Sequence, residues 1–297
     1  MNRLVTALCA FAAAAFCSAA LALPAADALR AGFAAARERS GGGISDRPVY
    51  LQSTETPNSL SADVHALVDQ PFDSVRQELG SAASWCEVLI LHLNVKYCRA
   101  STTGGQEVLD VGIGRKFDQP LADVHWARFA FRSTRSEADH IGFELQAPTG
   151  PMSTKDFRIT MEATPLTARQ TVVRMTYAYG FGTVARWAMQ AYLSTLGKDK
   201  VGFSITGRGA DGQPLRIGGV RGMVERNTMR YYLAIESRLG AHGLPPPQQL
   251  RKSLQDCFDA TERYARQLHE MDRADYLDMK LREVQRQATT APPVPRG

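Results

Sequence analysis

His125-Trp126-Ala127-Arg128-Phe129-Ala130-Phe131-Arg132-Ser133 is a strand written residue by residue. Successive side chains of a strand point to opposite faces of its sheet, so Ala127, Phe129 and Phe131 share one face, while Trp126, Arg128 and Arg132 share the other. The pattern recurs downstream. Ile141, Phe143 and Leu145 stand at spacing two; Phe157, Ile159 and Met161 alternate with Arg158, Thr160 and Glu162; Val173, Met175, Tyr177 and Tyr179 alternate with Arg174 and Thr176. Upstream, Val95–Ala100 and Glu107–Lys116 read as two more strands, joined through the hairpin signal Thr102-Thr103-Gly104-Gly105. An earlier strand is expected over Ser61–Asp69, followed by short helices at Phe72–Leu79 and Ser84–Leu91. Several one-sided apolar strands in succession make a bent antiparallel sheet whose concave face needs a cover.

Gly222–Leu239 supplies that cover. Val224, Asn227, Tyr231, Ala234 and Ile235 fall at three-and-four spacing, the signature of one helical face. The expected fold class is therefore α+β, a curved antiparallel β-sheet gripping a long C-terminal α-helix. Pro245-Pro246-Pro247 sets off a further segment, Gln248–Gln285, whose stripe from Leu250 through Phe258 and Tyr264 to Met271 predicts one long appended helix. Within the meander, Thr183–Leu196 reads as an inserted helix carrying Trp187 and Tyr192. Strands resume at Val201, Phe203 and Ile205 and at Leu215 and Ile217. The glycines of Gly207–Gly212 open no helix and precede no lysine, so they mark a hairpin rather than a phosphate loop.

The beginning of the chain has a different character. Arg3, the alanine-rich run Leu4–Leu21 and the small-residue site Ala20-Leu21-Ala22 predict a secretory signal peptide cleaved before Leu23. An uncleaved anchor is the lesser alternative, and Phe16 ahead of Cys17 argues against a lipidation signal. No later run approaches the roughly 20 apolar residues of a membrane-spanning helix, so the expected destination is the periplasm. The organisation read from the sequence is a signal peptide (1–22), a mobile leader with a short helix (23–47), a sheet-and-helix domain (48–240), the appended helix (241–287) and a disordered proline-rich tail (288–297). Cys86, Cys98 and Cys257 remain after the signal. The first two are either bridged, as an oxidising compartment permits, or buried free thiols; Cys257 suits a helix-face core position.

Of the 297 residues 44% are hydrophobic and 22% charged, as in an ordinary globular protein, and the net charge is +5. Basic residues are interleaved with acids and form no nucleic-acid motif, so nucleic acid is not an expected partner.

The order strand, two short helices, antiparallel meander and long helix resembles the START-like, or polyketide-cyclase-like (SRPBCC), helix-grip superfamily. Ser61–Asp69, Pro71–Leu91, Val95–Ile217 and Gly222–Leu239 carry that likeness. The strings Trp85–Leu93 and Val224–Tyr232 are also similar to those of uncharacterised exported proteobacterial proteins. The resemblance implies an apolar ligand, such as a sterol, phospholipid or polyketide, held between sheet and helix.

The inward faces nominate Phe129, Phe131, Phe143, Met161, Met175, Tyr177 and Tyr231 as ligand-contacting residues, with Asn227 available to a polar head group. Trp187 and Tyr192 are candidates for a lid that touches a membrane transiently. Chemistry is poorly supported. There is no G-x-S-x-G elbow, no histidine pair at metal spacing and no C-x-x-C. Asp63/His65 and Asp123/His125, each two apart on one expected strand, are the nearest approach to an acid–base pair and read better as surface pairs. Neither a cofactor nor a metal is called for. The leading expectation is an exported binding protein for a hydrophobic small molecule or lipid. A non-catalytic scaffold with a filled core and, behind it, a cyclase- or hydrolase-type enzyme are the alternatives, and the sequence specifies no protein partner. The volume of the hollow separates carrier from scaffold.

Overall fold

The computed structural model describes residues 24–40, 43–44, 47–183, 186–187, 189, 191 and 200–292. The expected signal peptide, Tyr192 and the end of the tail lie outside these residues. Eight antiparallel strands form one sheet: β1 (Val49–Glu55), β2 (Ser59–Val68), β3 (Val95–Thr103), β4 (Gln106–Ile113), β5 (His125–Ser136), β6 (Ile141–Thr149), β7 (Thr154–Thr167) and β8 (Gln170–Phe181). Their spatial order is β1-β2-β8-β7-β6-β5-β4-β3. The register aligns the inward positions read from the sequence into one row across the sheet: Phe131 opposite Leu145, then Ile159, Tyr177 and Ala62. All five are buried. The sequence had not marked β1. Its Val49 faces the main core while Tyr50 faces the opposite side, so burial on both faces erases the alternation that identifies a half-exposed strand.

Helices cover both faces. On the convex side lies α1 (Ala25–Ser40), whose Leu29, Phe33 and Ala36 pack with Tyr50 and Val172. The Phe33 and Tyr50 rings meet edge-on at 5.6 Å. The helix expected within a mobile leader is thus docked on the sheet, held by the apolar stripe that the sequence displayed. On the concave side, α2 (Phe72–Leu79) and α3 (Ala82–Leu89) pack against β3, β4, β7 and β8, and α4 (Gly219–Gly240) crosses β1, β2 and β8. Ser81 caps α3 by accepting the Ser84 N–H at 3.1 Å, and the buried Trp85 donates its indole N–H to the Leu79 carbonyl at 3.0 Å. Cys86 and Cys98 are bridged, fixing α3 to β3. Cys257 is a free, buried thiol.

Two element boundaries differ from expectation. The appended segment is not one long helix but three: α5 (Pro246–Glu262), α6 (Ala265–Leu268) and α7 (Arg273–Thr289). Tyr264 leaves helical geometry at φ −120° and ψ 39°, and its ring is buried edge-on against Phe203 at 5.4 Å. A straight helix would carry the far end of its apolar stripe off the body; the breaks bring Leu268, Tyr276 and Met279 back into the core. In the second case Val201 and Phe203 are not in a strand, and β9 (Ile205–Arg208) pairs only with β10 (Pro214–Arg216), in a separate hairpin. The cause is Glu225 on α4. Its buried carboxylate accepts the Phe203 and Ser204 N–H groups at 2.6 and 2.9 Å and the Ser53 and Ser204 hydroxyls at 2.6 and 2.7 Å, using amides a strand would need. Asp123, expected on the strand of His125, instead belongs to a 3-10 turn, Leu121–Asp123.

The edge strand β3 is closed by α7. Gln287 accepts the Cys98 N–H at 2.6 Å, and the Tyr97 hydroxyl donates to the Thr290 carbonyl at 2.8 Å. Glu283, fully buried, takes Lys96 at 3.0 Å and Lys280 at 2.7 Å, while Lys280 also donates to the His92 and Val95 carbonyls. An exposed sheet edge invites pairing with another chain, and α7 removes that opportunity.

Candidate functional site

Between the concave face, α4 and the α6–α7 link lies a cavity of about 920 Å³. It occupies one end of the sheet, where β4, β6 and β8 finish and β3, β5 and β7 begin. The reason is topological. The chain leaves β2 at the opposite end and turns directly into α2 and α3, whose Val75, Leu79, Trp85 and Val88 are fully buried there in the common core. Nothing equivalent fills the near end.

The two walls differ in chemistry. The sheet contributes Phe157, Tyr177 and Tyr179. Phe157 stacks on Tyr179 with ring centroids 5.1 Å apart and meets Tyr177 edge-on at 5.9 Å. Burial raises the Tyr177 hydroxyl pKa well above its usual value, with Tyr231 and Tyr179 adding to the shift, so it stays protonated. Methionines 189, 223, 271 and 279 add adaptable apolar surface. The helical wall is charged. Arg226 and Arg230 project from α4, Lys116 from the segment after β4, Lys200 from the segment before β9, and Glu270 from the α6–α7 link. Glu270 lies 2.5 Å from Lys116, 2.8 Å from Arg230 and 3.4 Å from Lys200. Burial works to raise the Glu270 pKa, but Lys116 and Arg230 outweigh it and hold the carboxyl below its usual value. Burial, followed by the repulsion of Arg230, brings the Lys116 ammonium down to about 8 against the pull of Glu270. At the rim, Phe117 and Met152 are more than half exposed.

Of the residues nominated from the sequence, Tyr177 and Asn227 line this cavity. Tyr231 lies behind the wall, stacked on His92 at 4.4 Å and tilted against Tyr177 at 5.2 Å. Phe129, Phe131, Phe143, Met161 and Met175 face inward as expected but belong to the close-packed core and do not line the hollow. Phe131 and Phe143 stack on each other at 5.9 Å. Of the lid candidates, Trp187 is 68% exposed, and Met189 on the same helical segment is buried and lines the cavity. The sequence had placed Phe157 and Tyr179 on inward faces without assigning them to the site. Lys116, Arg230 and Glu270 carried no signal, because residues 40 and more positions apart meet only in the folded chain.

The acid–base candidates sit elsewhere. Asp63 accepts Arg174 at 2.8 Å and Thr176 at 2.6 Å on the convex face, where His65 lies under α1. Among the described residues no group of three or more His, Cys, Asp or Glu side chains has metal-binding geometry. No described helix is long and apolar enough to cross a membrane.

The sheet order and the helix laid across its concave face define a helix-grip α+β protein with an end-on cavity. No family model matches the chain, and no curated protein matches it. Among solved structures it is similar to truncated norcoclaurine synthase from Thalictrum flavum, with 12% identity, 48% of this chain and 91% of that one covered, and a TM-score of 0.33. A conserved protein from Geobacillus kaustophilus matches at 11% identity over 62% and 95% of the two chains, also with a TM-score of 0.33. A Thermobifida fusca protein gives 14%, 60%, 91% and 0.33. Scores this low carry nothing about activity, and the description of the fold rests on its own topology.

Proposed function

We propose that this chain is an exported, periplasmic binding protein of START-like kinship that holds an apolar small molecule or lipid in its end-on cavity without altering it chemically. One observation carries the proposal: a hollow of about 920 Å³ with an aromatic and methionine-rich wall. Ligand sites of roughly 300–1,000 Å³ with mostly apolar walls and a few polar groups are the common form of small-molecule pocket. A scaffold with a filled interior has no use for such a volume. The signal-like first 22 residues and the Cys86–Cys98 bridge support export. The exposed Phe117 and Met152 at the rim, with Trp187 nearby in sequence to Met189, support ligand exchange during transient contact with a membrane.

The test is native mass spectrometry of the protein purified from its own periplasm, together with titration by the neutral dye Nile red. A co-purifying apolar ligand, or dye binding abolished by filling the hollow with Met223→Trp, is expected. An empty protein that binds no dye would leave the scaffold as the better account. For membrane contact, Trp187→Ala should weaken vesicle association; unchanged association removes that part of the proposal.

A further inference from the structure

The chemistry of the two walls specifies the ligand more narrowly than apolarity alone. Within the reading of the cavity as a binding site, on which this inference rests, we propose that its ligand is an anionic amphiphile: a hydrocarbon or ring body ending in a carboxylate or phosphate. The body lies on the sheet wall and the head group meets the cations gathered around Glu270.

Charge supplies the first reason. Lys116, Arg230 and Lys200 all lie within 3.4 Å of a single carboxylate, Glu270. That carboxylate answers one of three positive charges, and Arg226 brings a further guanidinium to the same wall. The acids Asp275 and Asp278 stand at the exposed rim, and Asp118 there already accepts Arg282 and Arg286. A local excess of positive charge held away from water is costly unless an anion enters. Burial and mutual repulsion at Lys116 register the same strain.

Geometry supplies the second. The cations come from four separate stretches of chain and converge on one wall, whereas Phe157, Tyr177 and Tyr179 occupy the wall opposite. A purely apolar ligand would have to leave this cluster desolvated and unpaired. A bare inorganic anion would leave the aromatic wall unused. An amphiphile satisfies both, and charge-assisted hydrogen bonds from lysine and arginine to carboxylate or phosphate oxygens are the strong kind.

The test compares 11-(dansylamino)undecanoic acid with its methyl ester, which differs only in head-group charge. The acid is expected to bind roughly tenfold tighter or more, the span of a charged hydrogen bond. Lys116→Gln/Lys200→Gln should shrink that ratio while leaving the ester's affinity unchanged, with circular dichroism confirming the fold. Should the double variant not fold, the acid-to-ester ratio of the wild-type protein decides alone. Equal affinity for acid and ester overturns the anionic assignment, while ester and Nile red binding would leave the carrier function standing. If neither probe nor Nile red binds, the carrier function itself falls. Competition by dodecanoate, dodecyl phosphate and inorganic phosphate identifies the head. Displacement by inorganic phosphate as effective as by dodecyl phosphate would overturn the amphiphile.

Discussion

At His92 burial, reinforced by Arg230, Lys280, Lys116 and Lys96, holds the imidazole pKa well below its usual 6.5. Its Nδ1 accepts the Asn94 N–H at 3.1 Å, so the neutral ring carries its proton on Nε2. Below about pH 6.5 the unfolded chain takes up a proton that the folded one refuses. The unfolded state then binds more protons, and stability falls with falling pH by up to about 1.4 kcal/mol per pH unit for each such histidine. His65 and His125, whose pKa values burial also lowers, add to the same sign. The thermal midpoint should therefore drop between pH 7 and pH 5, and His92→Gln should flatten the slope; a midpoint independent of pH would show that these rings ionise in the folded protein. The Cys86–Cys98 bridge closes a short loop, with twelve positions between its ends. Removing it through Cys86→Ser/Cys98→Ser should cost about 3 kcal/mol in a urea titration, and an unchanged midpoint would contradict a stabilising role. The sequence named this pair and left its state open, since spacing alone does not bring two Cα atoms to 5.2 Å.

Among the elements, α7 depends on a single buried acid. Glu283 answers both Lys96 and Lys280, and Met279 lies against Lys96 at 3.4 Å. Glu283→Gln would strand two buried ammonium groups, a loss of about 3–5 kcal/mol. Because α7 carries Met279 and Arg282 into the cavity, the same variant should weaken Nile red binding before the sheet unfolds; hydrogen exchange confined to 273–289 would show the helix leaving first. The β6–β7 turn at the cavity mouth is strained in a different way. Met152, Ser153 and Asp156 all adopt positive φ, at 57°, 60° and 53°, a conformation that costs side-chain-bearing residues of the order of 1 kcal/mol. Gly150 there admits no Cβ, which would fall 2.2 Å from the Phe157 ring. Gly150→Ala should displace Phe157 and weaken dye binding severalfold with little change in overall stability. Strands β5 to β8 were legible because each buries one face and wets the other. The strand β1 was not, because α1 takes one of its faces and the core takes the other.

Over the whole molecule, the location of the hollow follows from how the ends of the sheet are closed. The helices α2 and α3 occupy one end because the chain enters them directly from β2, whereas the other end is bounded by α4 and the broken C-terminal helices. Truncation after Gly243 should accordingly abolish probe binding by removing Glu270, Met271 and Met279. It should also expose the β3 edge, so that the truncated chain self-associates in sedimentation experiments; a monomer with intact binding would contradict both roles. Local patterning alone determined that the chain would build a one-sided antiparallel sheet with a long helix across it. Period-two and period-3.6 burial are written in consecutive residues and need no knowledge of distant ones. Only the tertiary structure decided that Phe129, Phe131 and Met175 fill a solid core, that the space lies beyond them, and that one of its walls is cationic. Those outcomes depend on which segments meet across long stretches of chain, as Lys116, Arg230 and Glu270 do, and periodicity carries no record of such meetings.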